Sequence, residues 1–175
     1  MNFDHYTIRL LTQEDLNSYW KLIDTNRKRL GDYFGGTISK TKTFEDTSNF
    51  VADRIEQLAE KKYYPFIIVD NKANEFAGFL DIKNIDWRIP KAELGYYVDE
   101  KYAGTGMATK AFSLFLDHCF KEMGFVKLFL RTHESNTPAR KLVEKCGFLI
   151  EGTIRKDHIT SSGEIVDLLY YGKIK

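Results

Sequence analysis

The sequence of 175 residues has few cysteines, few prolines and no long apolar run. Its 2 cysteines, Cys119 and Cys146, do not make a disulfide framework or a zinc site, and they suit a reducing compartment. No segment has the roughly 18 consecutive apolar residues of a membrane-spanning helix, and the N-terminal residues carry Asp4 instead of a signal peptide's apolar core. We therefore expect a cytoplasmic protein that does not bind membranes.

The sequence also lacks an excess of positive or negative charge. The 26 Lys and Arg residues nearly balance the 25 Asp and Glu residues, so the formal net charge is +1. Nucleic-acid-binding domains usually carry a large basic excess, so we expect no nucleic-acid partner. Aromatic residues make up 14% of the chain, against only 3 Pro and 12 Gly. This composition is typical of a folded chain, and residues 1–175 are predicted to form a single domain.

The hydrophobic spacing predicts a mixed α+β domain. The predicted order is strand, two helices, three strands, helix, strand, helix and two strands. Helices are predicted over residues 16–30, 44–61, 106–123 and 138–146, with an irregular loop over 33–41. Strands are predicted over residues 7–11, 66–69, 75–85, 92–98, 125–132, 148–155 and 166–171. We expect a central, mostly antiparallel and twisted sheet of about six to seven strands, flanked by helices.

One predicted strand runs into a helix through Gly104 and Gly106. The first N–H groups of a helix have no internal acceptors, and glycine lets a phosphate approach the main chain closely, so this arrangement can bind an anion. It is not the dinucleotide motif GxGxxG, because Thr109 occupies the third glycine position, and the P-loop spacing is absent. Taken alone, two glycines before a helix are as consistent with an ordinary turn.

A second segment supports the anion-site interpretation. Residues 128–148 read as a strand, a loop with Asn136, a helix and a final Gly-Phe. Together with residues 94–112, this segment resembles the GNAT superfamily of N-acetyltransferases. Lys101-Tyr-Ala-Gly-Thr-Gly106 matches the family's Arg/Gln-x-x-Gly-x-Gly/Ala motif, and Glu144 to Phe148 matches its Glu-Lys-x-Gly-Phe ending.

Three further segments look most like the ribosomal-protein (serine/alanine) N-acetyltransferase branch of this superfamily. The resemblance covers essentially the whole chain. They are Thr7 to Leu11, Ala92 to Val98 and Asp167. The resemblance implies an enzyme that moves an acetyl group directly from acetyl-CoA to a primary amine, without a metal. It also allows a homodimer. The residues that it implies for acetyl-CoA binding are Tyr97, Val98, Tyr102, Ala103, Gly104, Thr105, Gly106, Met107, Ala108, Asn136 and Arg140.

The sequence departs from the branch at three positions, one of which is Lys110, at a helix position where the branch often has Glu. Lys101 replaces the first Arg or Gln of the motif, and Ala139 stands where the branch often has a serine proposed to protonate the departing thiolate. The proton donor is therefore not carried over. Tyr170 and Tyr171 are other candidates, although a strand tyrosine more often serves packing.

An ammonium nucleophile must lose a proton before it attacks, so the reaction needs a base. Glu93 is the first candidate, because it lies just upstream of the cofactor strand in an apolar stretch; a surface glutamate or a structural salt bridge is the alternative. His158 is the alternative base, because histidine titrates near neutral pH, although most single histidines are ordinary surface or packing residues.

The acceptor is expected to be a protein N-terminal amine. A small amine, such as a polyamine or an antibiotic, is the first alternative. A non-catalytic module that holds acyl-CoA is the second, and Ala139 slightly favours it. Five aromatic residues are expected either to shape the acceptor site or to be buried under the first two helices: Tyr33, Phe34, Tyr63, Tyr64 and Trp87.

Overall fold

A central sheet organises the chain. The computed structural model describes residues 1–160 and 162–175, and within these ranges it has eight strands and five α-helices. The strands are β1 (Asn2–Phe3), β2 (Tyr6–Leu10), β3 (Tyr64–Asp70), β4 (Glu75–Asp86), β5 (Lys91–Val98), β6 (Lys127–Thr132), β7 (Leu149–Ile159) and β8 (Ile165–Ile174). The helices are α1 (Leu16–Leu30), α2 (Gly35–Ser39), α3 (Phe44–Ala59), α4 (Met107–Lys121) and α5 (Thr137–Lys145).

The strands follow the order β1-β2-β3-β4-β5-β6-β8-β7 across the sheet. Neighbouring strands are antiparallel except β5 and β6, which run parallel. These two strands pair only from Lys91 with Lys127 to Glu93 with Phe129. Both strands continue beyond that point without pairing to each other, which leaves an opening between residues 94–98 of β5 and 130–132 of β6. We call this opening the β5–β6 cleft.

Alternation along β5 distributes its side chains between two cores. Leu94 and Tyr96 face α4, where the Tyr96 ring lies 5.0 Å from the ring of Phe112. Tyr97 faces the opposite side, in a core that α1 and α3 cover, and its ring lies 5.1 Å from that of Phe34. The cleft therefore opens between two packed layers that hold its walls in place.

The predicted fold class, a mixed α+β domain with a mostly antiparallel sheet, is confirmed. Helix α1 has the predicted bounds, and a capping box between Thr12 and Asp15 precedes it. The prediction was wrong for residues 33–41, which contain α2, and it missed β1. Strand β6 begins at Lys127 instead of residue 125, because the N–H of Phe125 still bonds to the Cys119 carbonyl at the end of α4. Of the helices in the described ranges, none is long and apolar enough to cross a membrane.

Candidate active site

The glycine-containing loop adopts the geometry that its sequence predicts. Gly104 and Gly106 have φ angles of 76° and 84°, in the left-handed region that favours glycine, and Gly106 is the N-cap of α4. Within residues 1–160 and 162–175, the N–H groups of these two glycines have no hydrogen-bond acceptor. They lie at the N-terminus of a 15-residue helix, where the helix dipole also favours an anion.

Buried Asn26 of α1 fixes the turn that leads into this loop. Its side-chain nitrogen donates to Asp99 at 3.0 Å, and its oxygen accepts the N–H of Glu100 at 3.0 Å. Sequence reasoning missed Asn26, because the contact joins residues more than 70 positions apart in the chain.

Two residues predicted to bind the cofactor turn their side chains into the protein. The Tyr102 hydroxyl donates to Asp70 at 2.9 Å, and burial, followed by this hydrogen bond, raises the pKa of Tyr102 to about 12. The Met107 side chain is buried in the core beside α4. These two residues can therefore contribute to cofactor binding only through their main chains, and their role in it stays a prediction. Ala103 and Thr105 are exposed, and Ala108 is half-buried.

The N-terminus of α5 borders the cleft on the β6 side. Asn136 is the N-cap, and its side-chain oxygen accepts the N–H of Ala139 at 3.4 Å. No acceptor within the described residues takes the amide hydrogens of Asn136. The guanidinium of Arg140 donates to the Tyr171 hydroxyl at 3.2 Å and to the Glu134 carbonyl at 3.1 Å, so this side chain braces the loop before α5.

Tyr96 reaches across the cleft to α5. Its hydroxyl donates to the main-chain oxygen of Ala139 over a long distance of 3.5 Å. Burial raises the pKa of Tyr96 well above its ordinary value, so the hydroxyl stays protonated at neutral pH. A hydroxyl thus lies beside the position where the branch often carries serine. Sequence reasoning missed this residue, and the missing serine was the only hint.

Glu93 is buried beside the last paired residues of β5 and β6. Its carboxylate accepts hydrogen bonds from Nε and Nη2 of Arg131 at 3.1 and 3.0 Å and from Asn84 at 2.6 Å. The Arg131 guanidinium also donates to Asp157 at 2.6 Å. Because a carboxylate has about four acceptor positions, one position on Glu93 remains for a water molecule. The arrangement contains the salt bridge that the sequence left open as an alternative, and it still permits proton transfer through water.

His158 lies on the far side of this network, next to Asp157 in β7. Its Nε2 is 3.1 Å from the main-chain oxygen of Asp32, so Nε2 carries the hydrogen and Nδ1 is left as the basic nitrogen. The contact joins β7 to the segment between α1 and α2. In the same region the Tyr33 hydroxyl lies 3.5 Å from the Ser135 hydroxyl, across the approach to the cleft.

Most of the remaining aromatic candidates serve packing. Trp87 stacks on Phe125 with ring centroids 5.2 Å apart. It lies before the start of β5, at the end of the sheet opposite to the glycine loop, which favours the packing alternative for this residue. Tyr64 is half-buried, and Tyr63 is buried under α3.

The two strand tyrosines also have packing partners. Tyr170 stacks on Phe129 at 4.9 Å, and Tyr171 donates to Glu144 at 2.7 Å.

In the part of the chain that the structure describes, no group of three or more His, Cys, Asp or Glu side chains is arranged to hold a metal ion.

Comparison with known proteins identifies a family. The family model described as "Acetyltransferase (GNAT) domain" matches residues 5–149. YdaF of Bacillus subtilis, whose name proposes a ribosomal N-acetyltransferase, is 29% identical over 174 residues, covering 98% of this chain and 92% of that protein. The spermidine N(1)-acetyltransferase of Escherichia coli is 26% identical over 147 residues, covering 84% of this chain and 74% of that protein.

Solved structures show the same fold. The ribosomal-protein-S5-alanine acetyltransferase of Vibrio fischeri superposes with a TM-score of 0.89 at 22% identity, covering 99% of this chain and 95% of that chain. RimL, a ribosomal L7/L12 α-N-protein acetyltransferase solved in complex with coenzyme A, superposes with a TM-score of 0.91 at 18% identity, covering 98% of this chain and 95% of that chain.

Proposed function

Because this chain belongs to the acetyltransferase (GNAT) domain family, we propose that it is an acetyl-CoA-dependent N-acetyltransferase that acts on a protein N-terminal amine. The observation that carries the proposal is the pair of unpaired N–H groups at Gly104 and Gly106, at the N-terminus of α4. They offer hydrogen bonds to a pyrophosphate without any basic side chain. A nearly neutral protein can therefore bind a highly anionic cofactor.

Acetyl-CoA would supply an acetyl thioester, whose carbonyl carbon a primary amine attacks. The glycine loop would hold the phosphates, and the free amide hydrogens of Asn136 would bond to the CoA arm in the β5–β6 cleft. The Asp99 N–H bonds to the Ala77 carbonyl of β4, so in the alternating ladder the Tyr97 N–H also points to β4 and the Val98 N–H points into the cleft. The Val98 N–H would stabilise the negative charge that grows on the thioester oxygen.

Proton transfer completes the reaction. The nitrogen–carbon bond forms, the carbon–sulfur bond breaks, and the amine loses a proton through water to Glu93, with His158 as the alternative base. The departing thiolate needs a proton in return. Tyr96 is placed to donate it, because its protonated hydroxyl lies beside Ala139 in the cleft.

Charge around the acceptor side favours a peptide over a polycation. Glu93 and Asp157 are both paired with Arg131. A cavity of about 430 Å³ between α1, α2 and the β7–β8 hairpin is lined by Arg27 and Lys42 together with apolar residues. A polyamine would be repelled there. The relatives named for ribosomal acetylation also support a peptide acceptor. A cytoplasmic location and a homodimer stay predictions.

The test measures CoA release from acetyl-CoA by chromatography with a panel of acceptors. The panel contains peptides that begin with Ala, Ser or Met, the same peptides already acetylated at the N-terminus, and spermidine. We expect release only with the free peptides, with one acetyl group added at the α-amine by mass spectrometry. Turnover of spermidine alone would establish the small-amine alternative, and CoA binding without any turnover would establish the binding module.

A further inference from the structure

Asp81 of β4 carries a buried carboxylate oxygen without a hydrogen bond. The residue is 7% exposed. Its Oδ2 accepts the Tyr63 hydroxyl at 2.5 Å, whereas Oδ1 has no partner among the described residues although it is buried. An unsatisfied buried carboxylate oxygen is costly, so its presence needs an explanation.

The free oxygen lies directly over Gly95 of β5. A Cβ atom at Gly95 would be 2.5 Å from Asp81 Oδ1 and 3.1 Å from the ammonium nitrogen of Lys83. The space above Gly95 is therefore filled by the Asp81 carboxylate and the Lys83 ammonium, which approach the main chain this closely only because residue 95 has no side chain. Lys83 Nζ is 3.6 Å from Asp81 Oδ1, which is close enough for charge attraction but too far for a hydrogen bond.

This space adjoins the predicted reaction centre. Gly95 lies two residues beyond Glu93, where β5 has already lost its pairing with β6. Further along β5, Val98 supplies the main-chain N–H group proposed to face the thioester oxygen. Glu93 and Gly95 share the sheet face opposite to α4, so a group above Gly95 would approach the cleft from the side opposite to α4. An attacking amine needs to reach within about 3–3.5 Å of the thioester carbon. If the amine approaches from the side of Gly95, the CoA arm can occupy the opposite side of the cleft, which faces α4.

We propose that Asp81 Oδ1 is the docking site for the acceptor's ammonium group, which replaces the Lys83 ammonium above Gly95. This inference rests on the proposed function. Lys83 acts as an internal competitor: its ammonium attracts the same oxygen and must swing away from it when the substrate binds, and its side chain, 31% exposed, has access to solvent for this movement. The Lys83 ammonium and the acceptor ammonium bear the same charge, so charge alone does not distinguish them. The site selects the acceptor's primary ammonium by the access that the site allows and by the hydrogen bonds that it offers.

The neighbouring groups explain why Asp81, and not Glu93, receives the ammonium. Glu93 already accepts three hydrogen bonds from Arg131 and Asn84. Burial, followed by the charge of Asp81, raises the pKa of Tyr63 well above its ordinary value. Its hydroxyl therefore stays protonated and holds Oδ2, which turns Oδ1 toward Gly95.

The test compares steady-state kinetics of the wild type, Asp81→Asn and Lys83→Met with an alanine-initiated pentapeptide amide as the acceptor. Asparagine keeps an oxygen for the Tyr63 hydroxyl but offers no charge. We expect Asp81→Asn to raise the acceptor KM at least about tenfold and the acetyl-CoA KM less than about twofold. We expect Lys83→Met to lower the acceptor KM, because the competing cation is gone. Asp86→Asn, at the far end of the same strand, is the matched control and should behave as the wild type.

An acceptor KM within about twofold of the wild type in folded Asp81→Asn would overturn the inference. If Asp81→Asn fails to fold, Lys83→Met decides: an unchanged or raised acceptor KM, with a lower melting temperature, would show a purely structural ion pair. Failure of the proposed function looks different, because the wild-type protein itself would then release no CoA with the peptide, and the inference would fall with it.

Discussion

Replacing Arg131 by methionine tests the ion pair at the base of the β5–β6 cleft. The substitution would leave the Glu93 carboxylate buried, with Asn84 as its remaining donor. Breaking a buried ion pair from one side costs about 3–5 kcal/mol. The Arg131 side chain is 30% exposed, against 6% for Glu93, so solvent screens part of this loss. We expect a loss of about 2–3 kcal/mol, which corresponds to a fall in melting temperature of roughly 4–12 °C.

Glu93→Gln removes the negative charge of the same ion pair. Arg131 keeps Asp157 as a partner, so we expect a smaller loss of about 1–2 kcal/mol. In the double variant both charges of the Glu93–Arg131 pair are removed together, and the two losses should overlap by about 1–2 kcal/mol. Urea unfolding followed by circular dichroism measures all four proteins of the cycle. Losses that add to within about 0.5 kcal/mol would refute this coupling between Glu93 and Arg131.

The same variants separate structure from catalysis. If Glu93 accepts the proton through water, Glu93→Gln should lower turnover at least about tenfold at a temperature where it stays folded, with unchanged CoA binding. Arg131→Met keeps the carboxylate and should retain more turnover than Glu93→Gln, although it is the less stable protein. Near-normal turnover of Glu93→Gln would remove this residue from the mechanism and leave His158 to be tested.

Three further predictions concern the cleft and its surroundings. Gly106→Ala should weaken CoA binding at least about tenfold in calorimetry, because a left-handed φ of 84° strains any side chain, whereas Gly36→Ala, where an added Cβ meets nothing within 4 Å, should not. Tyr96→Phe should lower turnover at least about tenfold without changing CoA affinity, and an unchanged rate would exclude this hydroxyl as the proton donor. Burial raises the pKa of Cys119 to about 12, so a thiol reagent at neutral pH should modify only half-buried Cys146 until the protein unfolds; rapid labelling of both would contradict the packing.

Local patterns were enough to predict most elements. The cap at Thr12 to Asp15, the apolar spacing and Gly31 gave α1 its bounds from neighbouring residues alone. Helix α2 was not predictable in this way, because Gly35 and Gly36 disfavour a helix. In the structure the Phe34 carbonyl accepts the N–H groups of Thr37 and Ile38, and Phe34 is fixed by its packing on Tyr97, a residue distant in the chain.

The same distinction between local contacts and contacts distant in the chain applies to the candidate site. The glycine loop could be predicted, because its conformation depends on residues within one turn of the chain. The Tyr96 hydroxyl meets Ala139 across 43 positions, and Tyr63 meets Asp81 through strand register and the placement of α3. Such contacts depend on tertiary packing, which spacing along the sequence does not reveal.

The place of β8 in the sheet has a consequence for synthesis on the ribosome. Strand β8 is the last along the chain, yet it lies between β6 and β7, and β7 has no other strand partner in the described structure. Strands β1 to β6 can pair as they emerge, whereas β7 stays unpaired until residues 165–174 have left the exit tunnel. During that interval its unpaired N–H and C=O groups are open to chaperones and to neighbouring nascent chains, next to apolar side chains such as Leu149 and Ile154 that are exposed even in the folded protein.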